Sequence, residues 1–206
     1  MKFVDLQEAL KGYTLFSVQE IKKIDPNFHR RRLSEWQEKG YIKKIIRGYY
    51  VFSDIELDEP VLFEIANRIH QPSYISLEIG LSHYHLIPES VYGITSTTTK
   101  KPYQYSTLLG EFSYRYVKPA LFFGYELVKY QPNKMFKIGY PEKVIVDFFY
   151  LNPHIKSPDD FESLQINTIQ FWQQVNEERM YQFVERIAQK RLAHTMRIFM
   201  EHMKHA

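Results

Sequence analysis

The chain contains no cysteine. Disulfides, thiolate zinc sites and cysteine nucleophiles are therefore excluded, and the composition fits a reducing cytoplasm. Glycine is scarce as well, at 8 of 206 residues, and no GxSxG, P-loop or GxGxxG pattern occurs, so the usual phosphate cradles lack their backbone. Long apolar runs are missing. The longest, around Val144–Leu151, is interrupted by Asp147, and no stretch approaches the roughly 18 apolar residues of a membrane span. The opening MKFVDLQEAL carries acids and lacks a signal-peptide core. What is present, 44% hydrophobic and 25% charged residues, suits a soluble cytoplasmic protein of two domains with no membrane partner.

The net charge of +3 hides an uneven distribution. Residues 1–53 hold 11 Lys and Arg against 6 Asp and Glu, whereas residues 54–206 hold the remaining 16 against 18. The basic charge belongs to the N-terminal quarter, and a local basic footprint says more about a polyanionic partner than the overall pI of 8.8 does.

That quarter reads as a winged helix-turn-helix. Ser17 and Glu20 form a capping box, with Phe16 and Ile21 as its hydrophobic staple. With Val18 and Ile24 at helical spacing, they predict a helix over 17–24. Asp25-Pro26 starts a second helix through Lys39, Asp25 capping it and Pro26 in the first turn, and Gly40 closes it. Tyr41–Ile46 and Tyr49–Phe52 are β-rich runs joined by Arg47-Gly48, a hairpin wing. On the second helix, His29, Leu33 and Trp36 share the core face, while Asn27, Arg30, Arg31 and Ser34 share the opposite one. Arginine can bond guanine, and asparagine adenine, through two hydrogen bonds each. These four are the expected base contacts. Lys43, Lys44 and Arg47 on the wing, with Arg32 on the helix flank, are the expected phosphate contacts.

Acidic SDIELDEP (53–60) supplies a linker over 54–60. Pro60 opens a helix with Leu62, Ile65, Ala66 and Ile69 inward. Residues 72–89 give a short strand, Ser76 as an N-cap, and a helix using Leu77, Leu81 and Tyr84. Residues 91–138, rich in Tyr, Phe, Thr and Val between turn residues, predict four to six strands in a mainly antiparallel sheet. A helix follows Gly139-Tyr140-Pro141-Glu142-Lys143, and the tail is helical. Leu192, Met196, Phe199 and Met203 form a seam that docks on its own domain or on a partner copy. The expected fold is α+β: a winged helix-turn-helix over 1–53, then a mixed α/β domain over 61–206 with a mainly antiparallel sheet and a helical C-terminal tail.

Two rival chemistries have residues to offer. A metal-dependent nuclease would draw on Glu78, His83, His85, Glu89, Glu142, Lys143 and Asp147. However, Glu142 reads as a first-turn carboxylate favoured by the helix dipole, Lys143 and Asp147 as an ordinary i, i+4 pair, and the two histidines diverge on a helix. His194, His202 and His205 carry no assigned role. We therefore expect no catalysis, metal or cofactor. An RNA-binding module would use FSYRYVKPALFFGY (112–125), where rings alternate with basic residues. The competing expectation buries Phe112, Tyr114 and Tyr116 on one face and leaves Arg115 and Lys118 solvated.

Three segments in order, KGYIKKIIRGYYVF, PSYISLEIGLSHYHLIPE and GYPEKVIVDFFYL, resemble the AbiEi-type antitoxins of type IV toxin–antitoxin systems over residues 15–151. The turn Ile24-Asp25-Pro26 departs from the usual pattern in lacking glycine. The resemblance implies a winged helix that binds inverted repeats in duplex DNA upstream of its own operon and represses it. It also implies an α+β domain that opposes a nucleotidyltransferase-type toxin, in such systems without a stable complex. Reading an inverted repeat takes a homodimer or two cooperating monomers.

Overall fold

The computed structural model describes residues 1–88 and 93–205. Glu89, weighed above as a carboxylate, lies outside them, as do 91 and 92 at the start of the strand-rich stretch.

The N-terminal part runs α1 (Phe3–Ala9), β1 (Phe16–Ser17), α2 (Val18–Ile24), α3 (Arg31–Glu38), β2 (Ile42–Ile46) and β3 (Tyr49–Phe52). The capping box forms as expected: Ser17 Oγ accepts the Glu20 amide at 3.3 Å, and Glu20 Oε2 accepts the Ser17 amide at 2.6 Å. Ile24 is 43% exposed rather than inward. α1 and β1 add to the expected elements, because helices and strands this short leave no periodicity to read. β1 pairs with β3, giving a three-stranded antiparallel sheet in the order β1-β3-β2. The two faces of β3 serve two cores. Tyr50 and Phe52 pack with Phe16, Leu33 and Trp36 under the helices, while Val51, with Ile45 of β2, packs against the helix that follows the connector.

The second helix begins later than its sequence suggests. Residues Pro26–Arg30 lie outside the helix, in a turn where the Asp25 carboxylate accepts the Asn27 amide at 3.1 Å and its carbonyl accepts the Phe28 amide at 3.0 Å instead of capping the next helix. Phe28 is the cause. The turn places its ring in the core, 5.6 Å from Trp36, whereas a helix from Pro26 would have brought His29 there. His29 is exposed. The end of α3 is as expected, with a left-handed Gly40 (φ 69°), whose amide bonds Gln37, while that of Tyr41 bonds Trp36.

The rest is an α+β assembly built on a six-stranded sheet. Along the chain come α4 (Glu59–Ile69), β4 (Ser73–Ile75), α5 (Leu77–His83), β5 (Ile94–Thr98), β6 (Tyr103–Thr107), β7 (Gly110–Tyr116), β8 (Tyr125–Gln131) and β9 (Lys134–Gly139). Five helices close it: α6 (Pro141–Leu151), α7 (Pro158–Ser163), α8 (Thr168–Gln174), α9 (Glu177–Ile187) and α10 (Lys190–His205). The strand order is β6-β7-β5-β4-β9-β8. Three pairings are antiparallel, and β4–β9 and β5–β7 are parallel. One face, with Ile75, Phe112, Tyr114, Phe136 and Ile138, packs on α4. Val61 and Phe63 of that helix are buried and Leu62 only half-buried. Tyr74, next to Ile75, faces the other way, where α6 and the tail pack. The seam of Leu192, Met196, Phe199 and Met203 is buried against α6–α9 of its own chain.

Beneath that second face Lys143 and Asp147 form the expected i, i+4 pair, but in the interior. Both are buried, and Lys143 Nζ bonds Asp147 Oδ1 and Tyr74 Oη, the latter at 2.8 Å. Asp147 Oδ2 accepts from Tyr74 at 2.6 Å and from Ser76 at 3.1 Å. Ser76 thus stands at the α5 N-cap but spends its hydroxyl on Asp147. Burial, then the Asp147 charge, pushes the Tyr74 phenol well above its ordinary pKa, so it remains a donor. Glu142 is buried too, accepting the Asn176 amide at 2.6 Å and pairing with Arg179 at 3.3 Å. These charges are interior because α6 is apolar on nearly every side and is covered by the sheet, α5, α9 and α10. Gly80 lets α5 approach: a Cβ there would lie 2.9 Å from Val144 Cγ1.

A charge pair buried on these terms fails badly when halved. Lys143→Met should cost about 3–5 kcal/mol in urea unfolding. Adding Asp147→Leu should recover part of that and leave a deficit of about 1–3 kcal/mol, because Tyr74 and Ser76 lose their acceptor.

Candidate nucleic-acid interface

The outward face of α3 follows from its two buried residues. With Leu33 and Trp36 inside, Arg31, Ser34, Glu35 and Glu38 fall at i, i+3, i+4 and i+7 on the opposite side. Arg31 is 90% exposed along its side chain and pairs with Glu35 at 3.5 Å, a solvated contact of little cost to exchange for another partner. Arg30 occupies the N-cap position and is exposed, and Asn27 is exposed in the preceding turn. The expected base contacts therefore stand in two settings, Arg31 and Ser34 on the helix, Arg30 and Asn27 before it. All four cluster at its N-terminal end, the end that meets base edges in helix-turn-helix docking. Glu35 and Glu38 occupy the C-terminal half. They confine any approach by a polyanion to the first turn.

Arg32 lies on the flank, where its guanidinium donates to the Met1 carbonyl. It holds the start of the chain against α3, and a phosphate would have to compete for it.

The hairpin distinguishes its two lysines. Lys44 is paired in register with Tyr50, which faces the helices, and Lys43 with Val51, which faces away from them. Opposed residues on antiparallel strands share a face, so only Lys44 stands on the side of α3. Arg47 is exposed at the Arg47-Gly48 turn. Among the described residues, no carboxylate pairs with Arg30, Lys43, Lys44 or Arg47. Lys22 and Lys23, absent from the expected contacts, are exposed in the last turn of α2 just before the turn; α2 is the helix that would cross the backbone in helix-turn-helix docking.

The unit carrying these residues is fastened to the sheet by polar contacts. Arg68 of α4 donates to Glu20 Oε1 at 2.5 Å and to the Leu15 carbonyl, so the carboxylate that caps α2 also anchors it. The buried Glu64 accepts from Thr14 at 2.7 Å and from Tyr130 at 2.5 Å. Burial first, then the bond to Glu64, raises the Tyr130 phenol above its ordinary pKa. Beside this network a cleft of about 490 Å³ opens between α1, the connector and the β8–β9 turn, lined by Tyr13, Phe52, Asp54, Glu56 and Lys134 among others.

Among the described residues weighed for a nuclease, several have other partners. Glu142, Lys143 and Asp147 are spent internally, and His83 pairs with Glu59 at 2.8 Å. Among the described residues, no group of three or more His, Asp or Glu is placed to hold a metal, and none of the described helices is long and apolar enough to cross a membrane.

No family model matches the chain, and no curated protein matches it.

The turn before α3 gives a direct check. Phe28→Ala should cost about 3–5 kcal/mol of stability, while His29→Ala should change it by no more than about 0.5 kcal/mol. Equal effects in urea unfolding would mean that the helix begins at Pro26 after all.

Proposed function

We propose that this protein is a duplex-DNA-binding transcriptional regulator whose N-terminal unit acts as a winged helix-turn-helix. One observation carries the reading: the N-terminal end of α3, with Arg30, Arg31 and Ser34, and the hairpin cation Lys44 stand on the helical side of one three-stranded sheet, with Arg47 exposed at the hairpin turn. The element order α1-β1-α2-α3-β2-β3 supports it. In this reading α3 enters the major groove, Arg31 and Ser34 meet base edges with Arg30 and Asn27 at the groove entrance, and Lys22, Lys23, Lys44 and Arg47 hold phosphates. Lys43 contributes only to the general field. The second domain is assigned the role of opposing a nucleotidyltransferase-type toxin. That assignment rests on the AbiEi-type resemblance of residues 15–151 and brings with it an inverted-repeat operator, bound by a homodimer or by paired monomers.

The test is fluorescence anisotropy on the DNA upstream of the protein's own gene, beside a scrambled duplex, across a salt series. Specific operator binding requires a preference of roughly a thousandfold or more; equal, steeply salt-dependent binding to both duplexes would reduce the surface to a nonspecific one. Arg31→Ala should lose about 1–3 kcal/mol on the operator and relax specificity at one position. Lys44→Ala should weaken both duplexes alike and lower the salt slope by roughly one. Lys43→Ala should do much less. Identical behaviour of the two lysine variants would refute the division of the hairpin's faces.

A further inference from the structure

The sheet face covered by α4 is left open at one corner. α4 ends at Ile69, and the His70 that follows it packs its ring 4.4 Å from Tyr114, whose hydroxyl donates to the Ala66 carbonyl at 2.7 Å. Beyond His70 no helix continues. Tyr103 is paired in register with Tyr114 and therefore shares its face, and Tyr116 shares it by alternation along β7. Tyr103 is 55% exposed and Tyr116 is 44% exposed. This corrects the expectation that Phe112, Tyr114 and Tyr116 are all interior: the first two are, and the third is not. Arg115, on the reverse face, is not solvated either. It bonds the Leu151 carbonyl and Asn152 Oδ1 at the end of α6.

The ring of Tyr103 is braced rather than loose. Tyr103 lies 4.4 Å from Tyr105 and 6.5 Å from His70, nearly parallel to the latter at 15°. The Tyr105 hydroxyl is 3.4 Å from His70 Nδ1. Burial, then the charge of Lys100, holds the His70 imidazole below its ordinary pKa, so the brace is a neutral ring. Lys100 and Lys101 lead directly into Tyr103, and Lys118 follows Tyr116 by two residues; all three are exposed, and among the described residues none has a carboxylate partner.

We infer that this corner, Tyr103 and Tyr116 flanked by Lys100, Lys101 and Lys118, is a binding site for single-stranded nucleic acid. The braced ring of Tyr103 and the exposed ring of Tyr116 offer stacking platforms for bases, and unpaired lysines beside them take the phosphates. A duplex hides its base faces within the stack and would use the lysines alone, so the exposed rings favour the single strand. The site is separate from α3, and it stands whether or not α3 reads DNA.

The experiment measures anisotropy of a labelled oligouridine of about 12 nucleotides, within the span one such site covers, on the full-length protein. The wild type should bind it. Tyr103→Ala should weaken binding about 5- to 150-fold, the range of one lost base stack, whereas Tyr103→Phe, which keeps the ring, should bind as the wild type does. Lys100→Ala with Lys101→Ala should weaken it and flatten its salt dependence, and Arg30→Ala with Arg31→Ala should leave it unchanged. Tyr103 is at the surface, so melting temperatures should match; if Tyr103→Ala melts lower, Tyr103→Phe and the lysine pair decide. The inference is overturned by any of three results: no binding by the wild type, equal binding by Tyr103→Ala and the wild type, or displacement by a blunt duplex at equal concentration together with an equal loss of duplex binding in the lysine variant. The last would make the corner a duplex phosphate surface.

Discussion

Lys143, Asp147 and Tyr74 meet where the central strand β4 crosses α6, and the layers above and below depend on that meeting. A lysine and an aspartate one helical turn apart normally stay in water, because desolvating each costs several kcal/mol. Here each has its hydrogen bonds satisfied by the other, by Tyr74 and by Ser76. The cluster sets how α6 lies on the sheet. Once α6 is fixed, Glu142 at its first turn receives the Asn176 amide and Arg179, and the tail helices close over Phe148 and Phe149. An apolar cluster of the same volume would also bury area, but it would not require one rotation of α6 over another.

The opposite face of the sheet does for the N-terminal unit what α6 does for the tail. α4 packs its apolar side on the sheet and directs Glu64 and Arg68 towards Thr14, Leu15 and Glu20. The hairpin β2–β3 is then held between two cores, Tyr50 and Phe52 to one and Val51 and Ile45 to the other. A wing standing free in solvent would place both of its lysines near a bound duplex. A hairpin sealed on both faces places one on each side, and α3 shares its side with Lys44. The same α4, by ending at His70, leaves the Tyr103 corner open, so the length of one helix sets both what is fastened and what is exposed.

Much of this was legible locally. The capping box at Ser17 and Glu20, the Gly40 cap, the hairpin at Arg47-Gly48, the helix opened by Pro60 and the apolar seam of α10 all arise from interactions within a few residues or from one helical stripe. That α4 starts one residue earlier, at Glu59 with Asp58 as its cap, and that the seam docks on its own chain were not legible there. Nor was the turn before α3. Asp25-Pro26 is a good helix start on local grounds, and only the competition between Phe28 and His29 for space beside Trp36 rejects it. The site residues divide in the same way. That Arg31 and Ser34 face outward followed from helical spacing, but that Lys43 and Lys44 part company depends on which core each side of β3 meets.

The sequence by itself determined the order and kind of most elements, the basic bias of the first 53 residues and the exclusion of thiol chemistry, because these depend on composition, neighbouring residues and short-range periodicity. Tertiary structure alone decided which charges are interior, which face of the hairpin goes with α3, and which tyrosines remain at the surface. An i, i+4 pair of lysine and aspartate, or an alternation of tyrosines, is the same string of letters whether water or protein lies over it. What covers it comes from segments many residues away, brought there by the packing of α4 and α6 on opposite faces of one sheet.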